Sequence, residues 1–150
     1  MSGVIEIDEA TWADFDAVCA LLRDHKLPVV GLREHFDRAI VARLNGEVVG
    51  TAALELYPDG ALLRSVAVMH RLTGRGIGRD LIEAILQRAA SEHTVAVYLL
   101  TETAADLFVR FGFERISRAE VPPGVRTSIE FTSACPSSAT VMRRAMIPAA

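Results

Sequence analysis

The chain has 150 residues and carries 16 Lys and Arg against 19 Asp and Glu, a net charge of −3 at pH 7. With 51% hydrophobic and 23% charged residues it can bury a core and is no disordered segment. The acidic balance gives no electrostatic footprint for nucleic acid, and no run approaches the roughly 18 apolar residues of a membrane span. The acidic opening MSGVIEIDEATWADFD is no signal peptide. Cys19 and Cys135 are too few for a disulfide framework and lack metal-ligand spacing. His25, His35, His70 and His93 are scattered with no His-x3-His pair, so no metal is expected. These features together suggest a cytoplasmic protein with neither nucleic acid nor membrane as partner.

Residues 4–7 alternate as a short strand. Thr11 then opens a helix, with Asp14 in the acidic place of a capping box. Trp12, Phe15, Val18 and Leu22 make its apolar stripe, with Trp12 expected as a core anchor. The segment HKLPVVGLREHFDR breaks the pattern at Pro28 and Gly31 and reads as a loop and a short helix. Residues 39–43 and 47–56 are strands around Asn45-Gly46, a strong hairpin signal. YPDG at 57–60 is a second turn, leading into a strand over 61–68. Three strands of an antiparallel meander are therefore expected.

A glycine-rich turn, GRGIG, comes next in the chain, with a long amphipathic pattern after it. Ile77, Leu81, Ile82, Ile85, Leu86 and Ala89 fall at helical spacing, with Arg79, Asp80, Glu83, Gln87 and Arg88 between them. Gly74, Gly76 and Gly78 crowd the helix N-terminus, where unpaired N–H groups and the helix dipole favour an anion such as a phosphate. Lacking Cβ atoms, they let a ligand approach the backbone. A tight connection that binds nothing is the bland alternative. Gly-x4-Gly-Lys-Ser/Thr is absent, and TGRGIG at 73–78 lacks the spacing of the dinucleotide fingerprint. Arg71, Arg75 and Arg79 suit a small polyanion.

Residues 95–100 form another apolar strand, and the intervening helix implies a parallel pair by crossover. TETAADLFVRFGFERISR reads as a helix closed by Gly112, then a strand from Phe113. In the tail, a short helix over 125–131, a Cys-Pro break and a last strand from Ala139 are expected.

VAVMHRLTGRGIGRDLI resembles the acetyl-coenzyme A signature of the GNAT superfamily of N-acetyltransferases, usually Arg/Gln-x-x-Gly-x-Gly/Ala after a valine-rich strand. Gly76 and Gly78 match; Thr73 stands where the family usually has Arg or Gln. TETAADLFVRFGF resembles the second signature, Asn-x-x-Ala-x-x-x-Tyr-x-x-x-Gly-Phe. Ala104, Gly112 and Phe113 match, whereas Thr101 replaces the Asn and Phe108 the Tyr. That Tyr often protonates the departing thiolate in the family, a role Phe108 cannot fill. The tail, with SACPSSATVM, resembles a subgroup of arsenic-resistance N-acetyltransferases and is similar to the acetyltransferase domain of N-acetylglutamate synthases. The resemblance implies one α/β domain over 1–150, with a mixed, mostly antiparallel sheet flanked by helices. It implies acetyl-CoA as co-substrate, held by Val66, Ala67 and Val68 on the strand, by Thr73, Gly74, Arg75, Gly76, Ile77 and Gly78 in the loop, and by Thr101 and Phe108. The segment around Pro28 and Gly31 would line the acceptor pocket, or be a plain connector.

Acetylating an amine needs a positioned thioester, a neutral amine and stabilisation of the oxyanion. Leu62 stands where some relatives carry a glutamate base. Glu55, polar inside GTAALEL and beside Tyr57, is the first candidate for the proton acceptor, an exposed edge position being the alternative. Glu102 is a second. Arg64 or Arg126 could pair an acceptor carboxylate, or each could form an ordinary salt bridge. Cys135 reads as a structural thiol before a nucleophile or arsenic(III) ligand. The expected function is acetyl transfer from acetyl-CoA to the primary amine of an amino acid or amino-acid-like toxin, an organoarsenical included. The alternative is a non-catalytic acyl-CoA sensor or interaction module. Oligomeric state stays open, a homodimer included.

Overall fold

Alternating and β-branched segments become seven strands in a computed structural model, which describes residues 3–134 and 136–146. They are β1 (Ile5–Glu9), β2 (Ala39–Leu44), β3 (Glu47–Tyr57), β4 (Gly60–Val68), β5 (Ala96–Thr101), β6 (Glu114–Ile116) and β7 (Thr140–Ala145). They make one mixed sheet in the order β1-β2-β3-β4-β5-β7-β6. β4 and β5 are parallel, whereas β1–β2, β2–β3, β5–β7 and β6–β7 are antiparallel. Four helices accompany the sheet: α1 (Phe15–Asp24), α2 (Ile77–Ser91), α3 (Ala105–Val109) and α4 (Pro123–Arg126). Among the described residues no helix is long and apolar enough to cross a membrane. Contacts divide the chain into two compact units, Met1–Leu54 with Ser65–Arg88, and Glu55–Arg64 with Ala89–Ala150.

In the first unit, Asn45 and Gly46 take φ of 53° and 82°, the left-handed pair that turns β2 back into β3 with the twist a hairpin needs. A register shift at Ala42 and Arg43 bends β2. A Cβ on Gly50 would lie 2.8 Å from Leu81 Cδ1 and 3.2 Å from the Ala67 carbonyl, so glycine on β3 permits the close approach of α2. Ile77, Leu81, Ile82, Ile85 and Leu86 are all buried, as their spacing predicts, and so is Ala89, which opens the second stretch of the other unit. Val18, Leu22, Leu32, Phe36, Val41 and Ala53 belong to the adjoining cluster.

The start of α1 follows the capping-box expectation with one correction. The Thr11 N–H and hydroxyl donate to Asp14 Oδ2 at 2.8 and 3.2 Å. Trp12, expected in the core, is 59% exposed. Residues Trp12–Asp14 form a 3-10 turn before α1 begins, and its tighter winding rotates Trp12 off the stripe that Val18 and Leu22 bury. The indole instead leans on Phe36 and Phe15, with ring centres 5.2 and 5.6 Å away. Asp14 also accepts a bidentate bond from Arg43 Nη1 and Nη2 at 2.7 and 2.8 Å, while Arg43 Nε bonds Asp8 at 3.1 Å.

In the second unit β7 runs between β5 and β6, from Ala96↔Ala145 to Thr101↔Thr140 on one side and from Glu114↔Arg143 to Ile116↔Val141 on the other. Its core gathers Leu62, Ala96, Tyr98, Val121, Val125 and Val141. Asp59, in the turn before β4, accepts the N–H groups of Gly124 and Val125 at 2.7 and 3.1 Å and so caps α4. The single helix expected over 125–131 is broken: α4 ends at Arg126, and Glu130–Ala134 forms a separate π-type turn. Ser128 Oγ takes the Glu130 N–H at 3.1 Å, a local bond that competes with helix continuation. The last strand begins at Thr140, one residue after the expected start. Cys135 lies outside the described residues.

The hydrogen bonds from Arg43 lower the Asp14 pKa from 3.8 to about 2, outweighing burial. A carboxyl depressed in the folded state stabilises the fold above its unfolded value, and that stability is lost as pH falls through the folded one. We therefore expect Asp14→Asn to lower stability at pH 7 by about 2 kcal/mol and to flatten the fall between about pH 4 and pH 2. Urea denaturation across that range reads both effects. An unchanged midpoint at pH 7 would contradict the assignment.

Candidate active site

β4 is the strand from which the site is built. Its parallel register with β5 consists of Ala61↔Val97 and Leu62↔Tyr98, although β4 runs on to Val68 and β5 to Thr101. Ser65, inside β4, has φ of 61°. A left-handed residue within a strand bends it and re-aims the residues beyond, and for a serine it costs on the order of 1–2 kcal/mol. No residue pattern announced this bend. Val66, Ala67 and Val68 come directly after it, and the Met69 N–H, donating to Val49 O at 2.8 Å, fixes the strand's end.

Beyond β4 a short turn, His70–Leu72, leads into the glycine loop. Gly74 and Gly76 take φ of 82° and 81°, a conformation that L side chains rarely adopt. A Cβ on Gly76 would also press the Arg79 guanidinium at 2.9 Å, whereas one on Gly78 would meet only Val68 at 3.7 Å. The loop delivers Ile77 as the first residue of α2, where the N–H groups ahead of Asp80 have no intrahelical acceptor, the kind of place an anion favours. Thr73 is exposed, and its hydroxyl donates to the His70 carbonyl at 3.0 Å. Arg71 pairs with Glu47 at 2.9 Å and Arg79 with Asp80 at 3.5 Å. Arg75 is exposed and makes no ion pair among the described residues.

In the second unit the structure brings Glu55 and Arg64 together. Glu55, from β3, is 1% exposed rather than at an exposed edge, because its side chain is held on both oxygens. Arg64 Nη1 donates to Oε2 at 2.8 Å and the Tyr57 hydroxyl to Oε1 at 2.5 Å. Arg64 Nη2 lies 3.6 Å from Glu130 Oε2, and Glu130 and Ser128 are buried as well. Burial first, and then the Glu55 carboxylate, push the Tyr57 hydroxyl well above its usual 10, so it stays a neutral donor. Two buried carboxylates thus share one buried guanidinium, and ion pairing offsets the cost of removing charges from water.

The other candidates lie outside that cluster. Arg126 is exposed and spends Nη2 on the carbonyls of Arg118, Ala119 and Val121, at 3.3, 3.1 and 2.8 Å. Glu102 is exposed. Thr101 Oγ1 accepts the Ala104 N–H at 3.0 Å, ordering the entry to α3, and Phe108 is buried edge-on to Phe113 at 5.7 Å. Glu130 was missed by sequence reasoning. A charged residue between Ile129 and Phe131 carries the same signal as Glu55 in its apolar strand, and could have been found by the same rule.

Comparison with known proteins sharpens these observations. Residues 35–115 match the acetyltransferase (GNAT) domain family. Over 98 residues the chain is 32% identical to an uncharacterised N-acetyltransferase of Chlorobaculum tepidum, covering 65% of this chain and 63% of that one. Over 80 residues it is 40% identical to an amino-acid acetyltransferase of Mycobacterium tuberculosis, covering 52% of this chain and 45% of that protein. The matched stretch therefore spans less than two thirds of either relative. Its fold aligns with N-acetylglutamate synthase from Neisseria gonorrhoeae complexed with coenzyme A and N-acetyl-glutamate, with a TM-score of 0.82 and 19% identity, covering 98% of this chain and 36% of that one. The family match takes in more than half of the sequence, its glycine loop and β4 included, and the chain belongs to the acetyltransferase (GNAT) domain family.

Proposed function

We propose that the chain transfers an acetyl group from acetyl-CoA to the primary amine of an amino acid or a close analogue. Acetyl-CoA supplies the acetyl group already activated as a thioester. The glycine loop fits such a cofactor: two left-handed glycines keep Cβ atoms out of the approach, the first turn of α2 offers N–H groups to a phosphate, and exposed Arg75 adds charge. Val66, Ala67 and Val68, beyond the bend at Ser65, are the backbone against which the pantetheine arm would lie.

The observation that carries the acceptor chemistry is the buried Glu55. An amine reaches the site as an ammonium and must lose a proton before it can attack, and a carboxylate within reach can take it. Arg64 and Tyr57 fix both oxygens of Glu55 and so orient it. Tyr57 is poorly suited to replace the family tyrosine absent at Phe108. A phenol held above its usual value gives its proton reluctantly to a thiolate whose thiol has a pKa of about 8.5. We assign Tyr57 to holding Glu55. Arg64, committed to Glu55 and Glu130, is assigned to holding the cluster rather than to clamping an acceptor carboxylate. The amino-acid class rests on what the Mycobacterium tuberculosis relative is named for and on the N-acetyl-glutamate of the gonococcal complex. An amino-acid-like arsenical belongs to the same chemical class, and the tail motif is its support.

CoA release from acetyl-CoA, measured against free amino acids, amino-acid-like arsenicals and phosphinates, polyamines and a lysine peptide, tests this reading. Turnover is expected with α-amino acids or their analogues, and Glu55→Gln is expected to lower kcat by about 100-fold or more with CoA affinity unchanged. Acetyl-CoA binding without turnover across the panel would favour an acyl-CoA sensor, and no binding would sink both readings. Gly76→Ala, placing a Cβ where φ is 81°, is expected to weaken CoA binding at least about tenfold in calorimetric titration.

Arg64→Ala would leave two buried carboxylates without their guanidinium. It should cost about 3–5 kcal/mol in urea denaturation. Arg126→Ala, at an exposed guanidinium, should cost far less. A loss at Arg64 no larger than at Arg126 would contradict the buried-cluster assignment.

A further inference from the structure

Sequence spacing gave no reason to expect a metal, since no two histidines lie one helical turn apart. The fold of the first unit nevertheless sets three ligand-type side chains side by side. Asp24 is the last residue of α1, His25 caps it, and His70 opens the turn leading to the glycine loop. The imidazoles of His25 and His70 lie with ring centres 4.1 Å apart and planes 10° from parallel. His70 Nε2 is 3.7 Å from Asp24 Oδ2, and one ligand atom of each residue lies within 4.8 Å of the other two.

The surroundings of His25 add an independent reason. Its Nδ1 lies 3.0 Å from the Leu21 carbonyl. A carbonyl can only accept, so Nδ1 is the donor there, and in the neutral imidazole that tautomer leaves the lone pair on Nε2. A backbone bond on one ring nitrogen that fixes the tautomer and turns the other outward is the usual support of a metal-binding histidine. Main-chain bonds fix where His25 sits: its N–H reaches the Leu21 and Leu22 carbonyls at 3.2 and 3.1 Å, and Lys26, with φ of 56°, ends the helix. His70 and Asp24 are exposed, so the His70 ring can turn out of its stack on His25, and the Asp24 carboxylate can follow, to reach the roughly 2.0–2.2 Å bonds zinc makes with nitrogen and carboxylate oxygen.

We propose that Asp24, His25 and His70 form a binding site for a divalent first-row transition metal of the zinc class. Two imidazoles and one carboxylate make a borderline donor set, suited to zinc and its neighbours rather than to magnesium or calcium, which take mainly oxygen. Water or an exogenous ligand would complete the coordination. A metal held there ties the end of α1 to the turn whose His70 carbonyl already holds the N–H and hydroxyl of Thr73, the residue before the glycine loop. The site is independent of the acetyl-transfer reading.

Zinc alone is the probe, titrated calorimetrically into the full chain and into His25→Ala, His70→Ala, Asp24→Asn and Cys135→Ser variants. One saturable zinc per chain is expected, weakened about tenfold or more by either histidine substitution and also by Asp24→Asn. Retention of binding in Cys135→Ser separates this site from capture by a thiol. Zinc should also raise the melting temperature of the wild type, because a metal that binds only the folded state stabilises it, and should not raise that of His70→Ala. The exposed positions of Asp24 and His70 keep their variants foldable. Absence of saturable binding, binding that survives both histidine substitutions, or binding lost only in Cys135→Ser would each overturn the proposal.

Discussion

A parallel pair of strands normally zips along its length, with evenly spaced hydrogen bonds. β4 and β5 stop doing so after two residue pairs, and three residues later the backbone turns left-handed at Ser65. Such strain persists only where neighbours over-determine it, and it collects where a binding surface is needed. Arg64, on one side of the bend, is tied to two carboxylates, and the Val49 carbonyl fixes the N–H of Met69 beyond the other. The same strand carries Arg64 before the bend and Val66, Ala67 and Val68 after it, then runs through a three-residue turn into the glycine loop. Arg64 thus belongs to the buried Glu55 cluster, and the stretch proposed to bind the cofactor follows Ser65 in the chain.

Electrostatics explains why the cluster is built from so many groups. A lone buried carboxylate would take up a proton rather than stay ionised. Glu55 is held by a guanidinium on one oxygen and a phenol on the other, and the guanidinium also faces Glu130. Ser128 orders the backbone of Glu130, through a bond that competes with continuation of the helix beyond α4. The break in the helix thus becomes intelligible as the way one carboxylate is brought to Arg64. Arg43 performs a comparable task in the first unit, tying Asp14 at the entry of α1 to Asp8 on β1, but there the groups cap a helix and the consequence is stability.

Much of this was legible from residue order because local chemistry dictated it. Asn45-Gly46 could hardly be anything but a hairpin, the α2 stripe has the helical period, and Gly74 and Gly76 occupy φ values that suit glycine. Glu55 stands out because a carboxylate amid GTAALEL demands a reason, and its burial among Tyr57 and Arg64 was not foreseen. The features that stayed hidden are set by tertiary contacts. Serine has no tendency to mark a left-handed bend, so Ser65 gave no signal. Trp12 was placed in the core by extending the period of α1 one turn too early, into a 3-10 turn. His25 and His70 are far apart in sequence and meet only because the end of α1 lies beside the turn after β4. Spacing rules find ligands on one element and are blind to such pairs.

Hydrogen–deuterium exchange with and without saturating CoA tests most directly whether one strand and its loop form the cofactor site. Protection is expected in peptides covering the amides of Val66, Ala67 and Val68 and those of residues 74–79, with little change in β1 and β2. Protection confined to other elements, or none at saturating CoA, would contradict the assignment of the bent strand and glycine loop as the place where the cofactor binds.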